Sequence, residues 1–280
     1  MEKIQEALAK ARAARGEVSQ SRTTPSAASD AAVAAAPSNP TADIAAAWAA
    51  LKSFTPEAAL LKRARIMTMA GGQESAPFDV MRTKVLQTMR ANNWRRLAIT
   101  SPTPACGKST ITLNLGFSLA RQPDIRTIVA ELDLRRPSLA KTLGQEHLKS
   151  FAEVLQGKID FVDNAMCFNH NLALAMNGSA VRNPAELLHS AAVPGILSAI
   201  EARYAPDLVI FDMPPMLVSD DAMAFAGQVD CVLLVAAAEA TTVKEIDTCE
   251  RELATQTNVM GVVLNKCHFM GKDYGYSYYG

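Results

Sequence analysis

Residues 97–111, Leu97-Ala98-Ile99-Thr100-Ser101-Pro102-Thr103-Pro104-Ala105-Cys106-Gly107-Lys108-Ser109-Thr110-Ile111, decide the fold. A short apolar, β-forming run leads into a turn-rich stretch. Gly-Lys-Ser-Thr then opens an apolar-periodic segment that continues to Ala120. Strand, tight turn and helix in that order make a cradle for a nucleoside triphosphate, because a helix start offers unpaired N–H groups and a partial positive charge. In such a cradle Lys108 reaches the β- and γ-phosphates and the Ser109 hydroxyl binds Mg²⁺. Pro104, Ala105, Cys106, Gly107 and Thr110 complete the expected nucleotide-binding loop. Pro102 stands where the full G-x-x-x-x-G-K-[ST] pattern has its first glycine.

Working outward, strands and helices alternate from Arg95 onward. The candidate strands are Leu97–Thr100, Arg126–Leu132, Leu172–Met176, Leu208–Phe211, Asp230–Val235 and Val259–Leu264. Several are unbroken apolar runs, as expected of strands buried on both faces. Helical patterns lie between them, at Pro184–Ser190, Gly195–Tyr204 and Val243–Thr255. The reading is an α/β protein with a doubly wound, mostly parallel sheet of the P-loop NTPase kind. Ligands on such sheets sit at the carboxyl ends of strands.

Two further strands end in acids: Ala130-Glu131-Leu132-Asp133-Leu134-Arg135-Arg136 and Ile210-Phe211-Asp212-Met213-Pro214-Pro215. Mg²⁺ takes oxygen ligands and keeps several waters, so one carboxylate can hold it and another orient a bound water. Glu131 and Asp133 are two apart and on a regular strand would face the same way. One could then serve the metal while the other accepts a proton.

The chain has 280 residues, no net formal charge and an apolar fraction of 49%. That suggests one domain of about 200 residues with extensions, and no global field that would attract nucleic acid. The five cysteines are scattered without a C-x-x-C, which argues against a disulfide framework or zinc site and fits a reducing cytoplasm. No apolar run approaches the ~20 residues of a membrane span, so any membrane role is expected to need a partner. Residues 1–18 read as an N-terminal amphipathic helix and 19–65 as an Ala/Ser/Pro-rich linker with one helix near Ile44–Leu51. Residues 66–267 read as the nucleotide-binding domain and 268–280 as a flexible tail. That tail holds Tyr274, Tyr276, Tyr278 and Tyr279, four of the five tyrosines. The segment after Asn265 extends roughly 50 Å at about 3.3 Å per residue. This is enough to enter a neighbouring subunit's site, so phosphorylation between copies is geometrically possible. Each phosphate would add nearly two negative charges. Cys106, beside a helix start and Lys108, is expected to have a lowered pKa; an inert residue facing out of the loop is favoured over a redox switch.

Taken together, SPTPACGKSTITLNL, ELDLRRPSLAKTLG, LVIFDMPP and GVVLNK, with the segment Asn183–Leu188 and the opening MEKIQEALAKARAAR, resemble the bacterial tyrosine kinases of capsule and exopolysaccharide biosynthesis. The likeness runs from Met67 to the C-terminus. It implies an ATP- and Mg²⁺-dependent, non-specific protein-tyrosine kinase that phosphorylates its own tail tyrosines in trans. It implies that Lys108 binds phosphates, that Ser109 and Asp133 hold Mg²⁺ with support from Asp212, that Glu131 accepts the proton, and that Asn265 contacts adenine. It also implies an activator, the cytoplasmic segment of a membrane polysaccharide co-polymerase, with recruitment from the cytoplasm to the inner membrane face, and a homo-oligomer.

Departures are visible. The family usually has Gly-Glu at Ala105-Cys106, Asp at Glu131 and Thr or Ser at Met213. Its Glu-x-x-Arg-x-x-Arg ring motif aligns with Ala76, Asp79 and Arg82, of which only Arg82 survives. Two other readings compete: a catalytically weak nucleotide-binding scaffold, and a non-kinase partitioning-type ATPase. The latter carries an extra lysine where this chain has Thr103.

Overall fold

The computed structural model describes residues 40–146 and 148–267. The N-terminal helix, the first part of the linker and the tyrosine tail, including Tyr274, Tyr276, Tyr278 and Tyr279, lie outside the described residues.

Among the described residues eight strands form one sheet: β1 (Lys52–Ser53), β2 (Arg96–Thr100), β3 (Thr127–Glu131), β4 (Met166–Phe168), β5 (Leu172–Ala175), β6 (Leu208–Asp212), β7 (Cys231–Ala237) and β8 (Asn258–Asn265). Their spatial order is β1-β4-β5-β3-β6-β2-β7-β8. All pairings are parallel except β4 with β5. The doubly wound, mostly parallel sheet expected from the apolar runs is present. The short strands β1 and β4 were not expected, because two or three residues carry no periodicity.

The helices are α1 (Pro40–Ala49), α2 (Ala58–Arg63), α3 (Ala76–Ala91), α4 (Lys108–Ala120), α5 (Leu139–Thr142), α6 (Phe151–Leu155), α7 (Phe161–Asn164), α8 (Pro184–Leu188), α9 (Val193–Tyr204), α10 (Asp221–Ala226) and α11 (Val243–Leu253). Two apolar clusters flank the sheet, one around Phe151, Phe211 and Phe225 and the other around Phe117, Leu97 and Leu115. From Ile111 to its end α4 is buried on all sides, so its start, and hence Lys108 and Ser109, is fixed against the sheet. Asn171 secures the other end: its side-chain amide donates to the carbonyls of Ala120, Gln122 and Ile125.

The linker expected over residues 19–65 is corrected from Pro40 onward. Helix α1 packs Ala47 and Trp48 into the core, and Phe54 and Leu61 are buried too. The Trp48 indole N–H donates to the Tyr204 carbonyl at 2.7 Å, and the two rings meet edge to face at 6.2 Å. Alanine-rich composition hid this, because one tryptophan anchors the whole segment.

Trp48→Ala should therefore destabilise the domain by about 3–5 kcal/mol, as for other buried large-to-small changes. Urea denaturation of the full chain checks this. A change below ~1 kcal/mol would return residues 40–54 to the status of a linker.

Candidate functional site

The carboxyl ends of β2, β3 and β6 lie side by side, with Ile99 and Glu131 both in register with Asp212. The loop after β2 curls into α4 through two left-handed residues, Ala105 (φ 64°) and Gly107 (φ 94°). Glycine suits 107 because its φ strains any L side chain, and a Cβ there would also displace the Asn265 amide. Ala105 adopts a conformation that costs a non-glycine residue about 1–3 kcal/mol. No side chain caps the start of α4, so its N–H groups remain for phosphate oxygens.

Four of the expected residues meet here. Lys108 Nζ donates to Asp133 Oδ2 at 2.7 Å. Ser109 Oγ donates to Asp212 Oδ2 at 2.7 Å, and Thr112 Oγ1 to Asp212 Oδ1 at 3.2 Å. The Asp212 carbonyl accepts the backbone N–H groups of Leu132 and Asp133 at 2.8 and 3.0 Å. Burial pushes the Asp212 carboxyl above its ordinary pKa, opposed by Lys108 and the Ser109 hydroxyl. Burial also disfavours charge on Lys108, yet the Asp212 and Asp133 carboxylates hold it above its ordinary value. The hydroxyl of Ser109 and the carboxylates of Asp133 and Asp212 form an all-oxygen donor set. That suits a hard cation such as Mg²⁺ with waters and phosphate completing its shell.

Glu131 departs from expectation. Strand β3 ends at Glu131, so the alternation that would align it with Asp133 stops there. Glu131 is 0% exposed. Its Oε1 accepts the backbone N–H groups of Ser138 and Leu139, and its Oε2 that of Asn177. Burial pushes its carboxyl up to about 7, with the three N–H groups pulling the other way. A sealed carboxylate with both oxygens engaged has no open path to an incoming hydroxyl, and the proton-acceptor expectation is corrected on that ground. A cleft of about 360 Å³ opens beside the loop, lined by Lys108 and Asp133 among others, but not by Glu131.

Other expectations shift as well. Cys106 is buried, facing inward, and its sulfur shares hydrogen bonds with Thr103 and with Thr241 of the β7–α11 connection. Burial opposes ionisation, yet these bonds hold the thiol below its ordinary pKa. The Asn265 amide donates to the Cys106 carbonyl at 2.8 Å and so clamps the loop. Met213 is buried in the apolar cluster around Phe211 rather than facing the site. Arg82 turns inward, donating to Asp79 and Ser118, and Asp79 also binds Arg121. The surviving charge of the ring motif is consumed within the chain. Thr112, Asn177 and Arg135 escaped the sequence reading. Thr112 and Arg135 lay inside quoted motifs without being singled out, and Asn177 had no local signal.

Among the described residues no helix is long and apolar enough to cross a membrane. No family profile matches the chain. It is 29% identical over 216 residues to the tyrosine-protein kinase YwqD of Bacillus subtilis, covering 76% of this chain and 90% of that one. It is 30% identical over 196 residues to the tyrosine-protein kinase Wzc of Salmonella typhimurium, covering 68% of this chain but only 27% of that longer protein. The solved kinase domain of the Escherichia coli tyrosine kinase ETK superposes with a TM-score of 0.67 at 27% identity, covering 81% of this chain and 88% of that domain. Over most of its length the chain is thus a relative of bacterial tyrosine-protein kinases, and it shares the fold of a solved tyrosine-kinase domain.

Proposed function

We propose that the chain is an ATP-dependent protein-tyrosine kinase that transfers the γ-phosphoryl group to Tyr274, Tyr276, Tyr278 and Tyr279 of a second copy, and thereby regulates exopolysaccharide or capsule polymerisation and export. The observation that carries this reading is the convergence of Lys108, Ser109, Asp133 and Asp212 on one pocket, in a chain aligned with tyrosine kinases over most of its length. The fifth tyrosine, Tyr204, is 1% exposed, which leaves the tail as the acceptor.

The uncapped start of α4 and the loop amides would bind the β- and γ-phosphates, and Asn265 would contact the adenine base. Lys108 would exchange Asp133 for phosphate oxygens and stabilise the charge that develops in transfer. Bound Mg²⁺, held by Ser109, Asp133 and Asp212, would supply neutralisation of the phosphate charges. The tyrosyl oxygen forms a bond to the γ-phosphorus as the bond to the ADP oxygen breaks. The Asp133 oxygen that Lys108 vacates, on the carboxylate that lines the cleft, would take the phenolic proton. Glu131 instead fixes the turn after β3 to the residues that follow β5. Activation by the cytoplasmic segment of a membrane polysaccharide co-polymerase, with recruitment from the cytoplasm to the inner membrane face, completes the proposal. With no net charge on the chain, nucleic acid has no part in it.

Incubation of the full chain with Mg-ATP should place phosphate on residues 274–279, read by mass spectrometry. Lys108→Met should lower incorporation by about a hundredfold or more, the scale for losing one charge-stabilising donor. An unphosphorylated wild type, or an unaffected Lys108→Met, would refute the kinase reading.

Asp133→Asn should cut kcat by about a hundredfold, while Glu131 should show itself in stability. Its carboxyl rises from 4.5 unfolded to about 7 folded. The folded state then holds more protons between those values, and stability is lost as pH rises through that window. Asp212 acts in the same direction. Glu131→Gln should lower overall stability yet flatten the decline between pH 5 and 7 by up to about 1.4 kcal/mol per pH unit. Denaturant melts at several pH values test this; an unchanged slope would contradict it.

A further inference from the structure

The motif that supplies Asp133 continues into Arg135 and Arg136, which the transfer chemistry leaves without a role. Both line the 360 Å³ cleft that holds Lys108 and Asp133. Arg135 is anchored: its Nε and Nη2 donate to the two Asp221 carboxylate oxygens at 2.5 and 2.9 Å. The Asp221 side chain is 1% exposed and also accepts the Ser219 hydroxyl at 2.9 Å. The Arg135 side chain nevertheless stays 47% exposed. A guanidinium has five N–H donors, so a fork that spends two on Asp221 keeps three for a ligand. Arg136 is tethered through its backbone, whose N–H donates to Asp133 Oδ1 at 3.1 Å. Its exposed side chain makes no ion pair among the described residues.

The rest of the cleft differs in character. Pro214, Pro215 and Val218 line it, with Val218 60% exposed. An apolar wall and a basic wall over one floor of Lys108 and Asp133 suit a ligand that is aromatic at one point and anionic close by.

We propose that Arg135 and Arg136 select the acceptor: the cleft takes a tyrosyl ring against Pro214, Pro215 and Val218, and the two arginines pair with an anion within about two residues of that tyrosine. This rests on the kinase reading and names its substrate class, acidic or already phosphorylated tyrosine-containing segments. Asp221 is a positioning residue that aims Arg135. The chain's own tail fits the rule. Asp273 directly precedes Tyr274, and Tyr276 and Tyr278 follow at steps of two. Residues two apart in an extended segment are separated by about 7 Å, a distance that a cleft of this size spans. Each transfer would create a dianion two residues from the next acceptor, so the first phosphate would favour the second.

The test uses the full chain and three fluorescent peptides of sequence 272–280: unmodified, with Asp273→Asn, and phosphorylated on Tyr276. Binding is followed by anisotropy, and transfer to each peptide by its KM and kcat. Wild type should bind the Asp273→Asn peptide about three- to fivefold more weakly than the unmodified one, the upper scale for one exposed ion pair. It should bind the phosphopeptide about tenfold more tightly, reflecting charge-assisted contacts with arginine. Arg136→Gln and Arg135→Gln should each reduce these ratios, with KM moving and kcat nearly constant. Asp221→Asn should reduce them as Arg135→Gln does, and Arg135→Lys should restore part of the preference. Equal binding of all three peptides by wild type, or ratios unchanged in both arginine variants, overturns the inference. Discriminating binding without transfer would sink the kinase reading and leave the arginine wall standing. Transfer without discrimination would do the reverse.

Discussion

A buried aspartate at the end of the central strand β6 sets the geometry of everything around it. The Asp212 carbonyl receives two consecutive backbone N–H groups from the exit of β3, and its carboxylate receives hydroxyls from the first two turns of α4. Two segments distant in sequence are thus tied to one residue of a third. A fully buried carboxylate would be costly by itself, since the desolvation of an unpaired charge exceeds what weak contacts return. Here the Lys108 charge and two hydroxyls offset part of that cost, and burial still leaves the carboxyl above its ordinary pKa. The same field holds Lys108 protonated within the protein. The pocket is therefore organised by its own charges, which in the proposed reaction keep a cation ready for the phosphates.

That arrangement divides labour among three acids. Asp212, fully buried, ties the exit of β3 to the start of α4 and in the proposed reaction helps to hold the metal. Asp133 shares its lysine with whatever anion enters, because one of its oxygens holds Lys108 and the other a backbone N–H. Glu131 reaches away from the cleft into three backbone amides. In the proposed reaction charge exchange falls to the Lys108–Asp133 pair, the one ion pair among the described residues with both partners lining the cleft.

Much of this was legible in the sequence for a definite physical reason. Strands buried on both faces must be apolar throughout, so Ile128–Ala130 and Val209–Phe211 announce themselves, and an acid immediately after them must lie at the carboxyl edge. Gly-Lys-Ser after such a strand places the lysine and hydroxyl at the same edge. What stayed hidden depends on partners remote in the chain. Trp48 is defined by a carbonyl 156 residues away. Glu131 is defined by amides of loops whose approach no local pattern encodes. Asn265 holds the loop at Cys106, 159 residues earlier, and Asp221 holds Arg135 from a helix start 86 residues later.

The same logic explains a substitution that first looks like damage. Aspartate at position 131, the usual family choice, would be one methylene shorter. Glutamate spans Ser138 and Leu139 with one oxygen and Asn177 with the other. It stitches the turn after β3, the start of α5 and the exit of β5 into one unit. The Asn177 side chain closes the loop by donating to the Glu131 carbonyl at 2.9 Å and accepting the Ala152 N–H at 2.9 Å. Extra reach thus moves an acid out of the chemistry and into the scaffold. The turn it stiffens carries Asp133, Arg135 and Arg136, and the placement of those three side chains over the cleft follows from it.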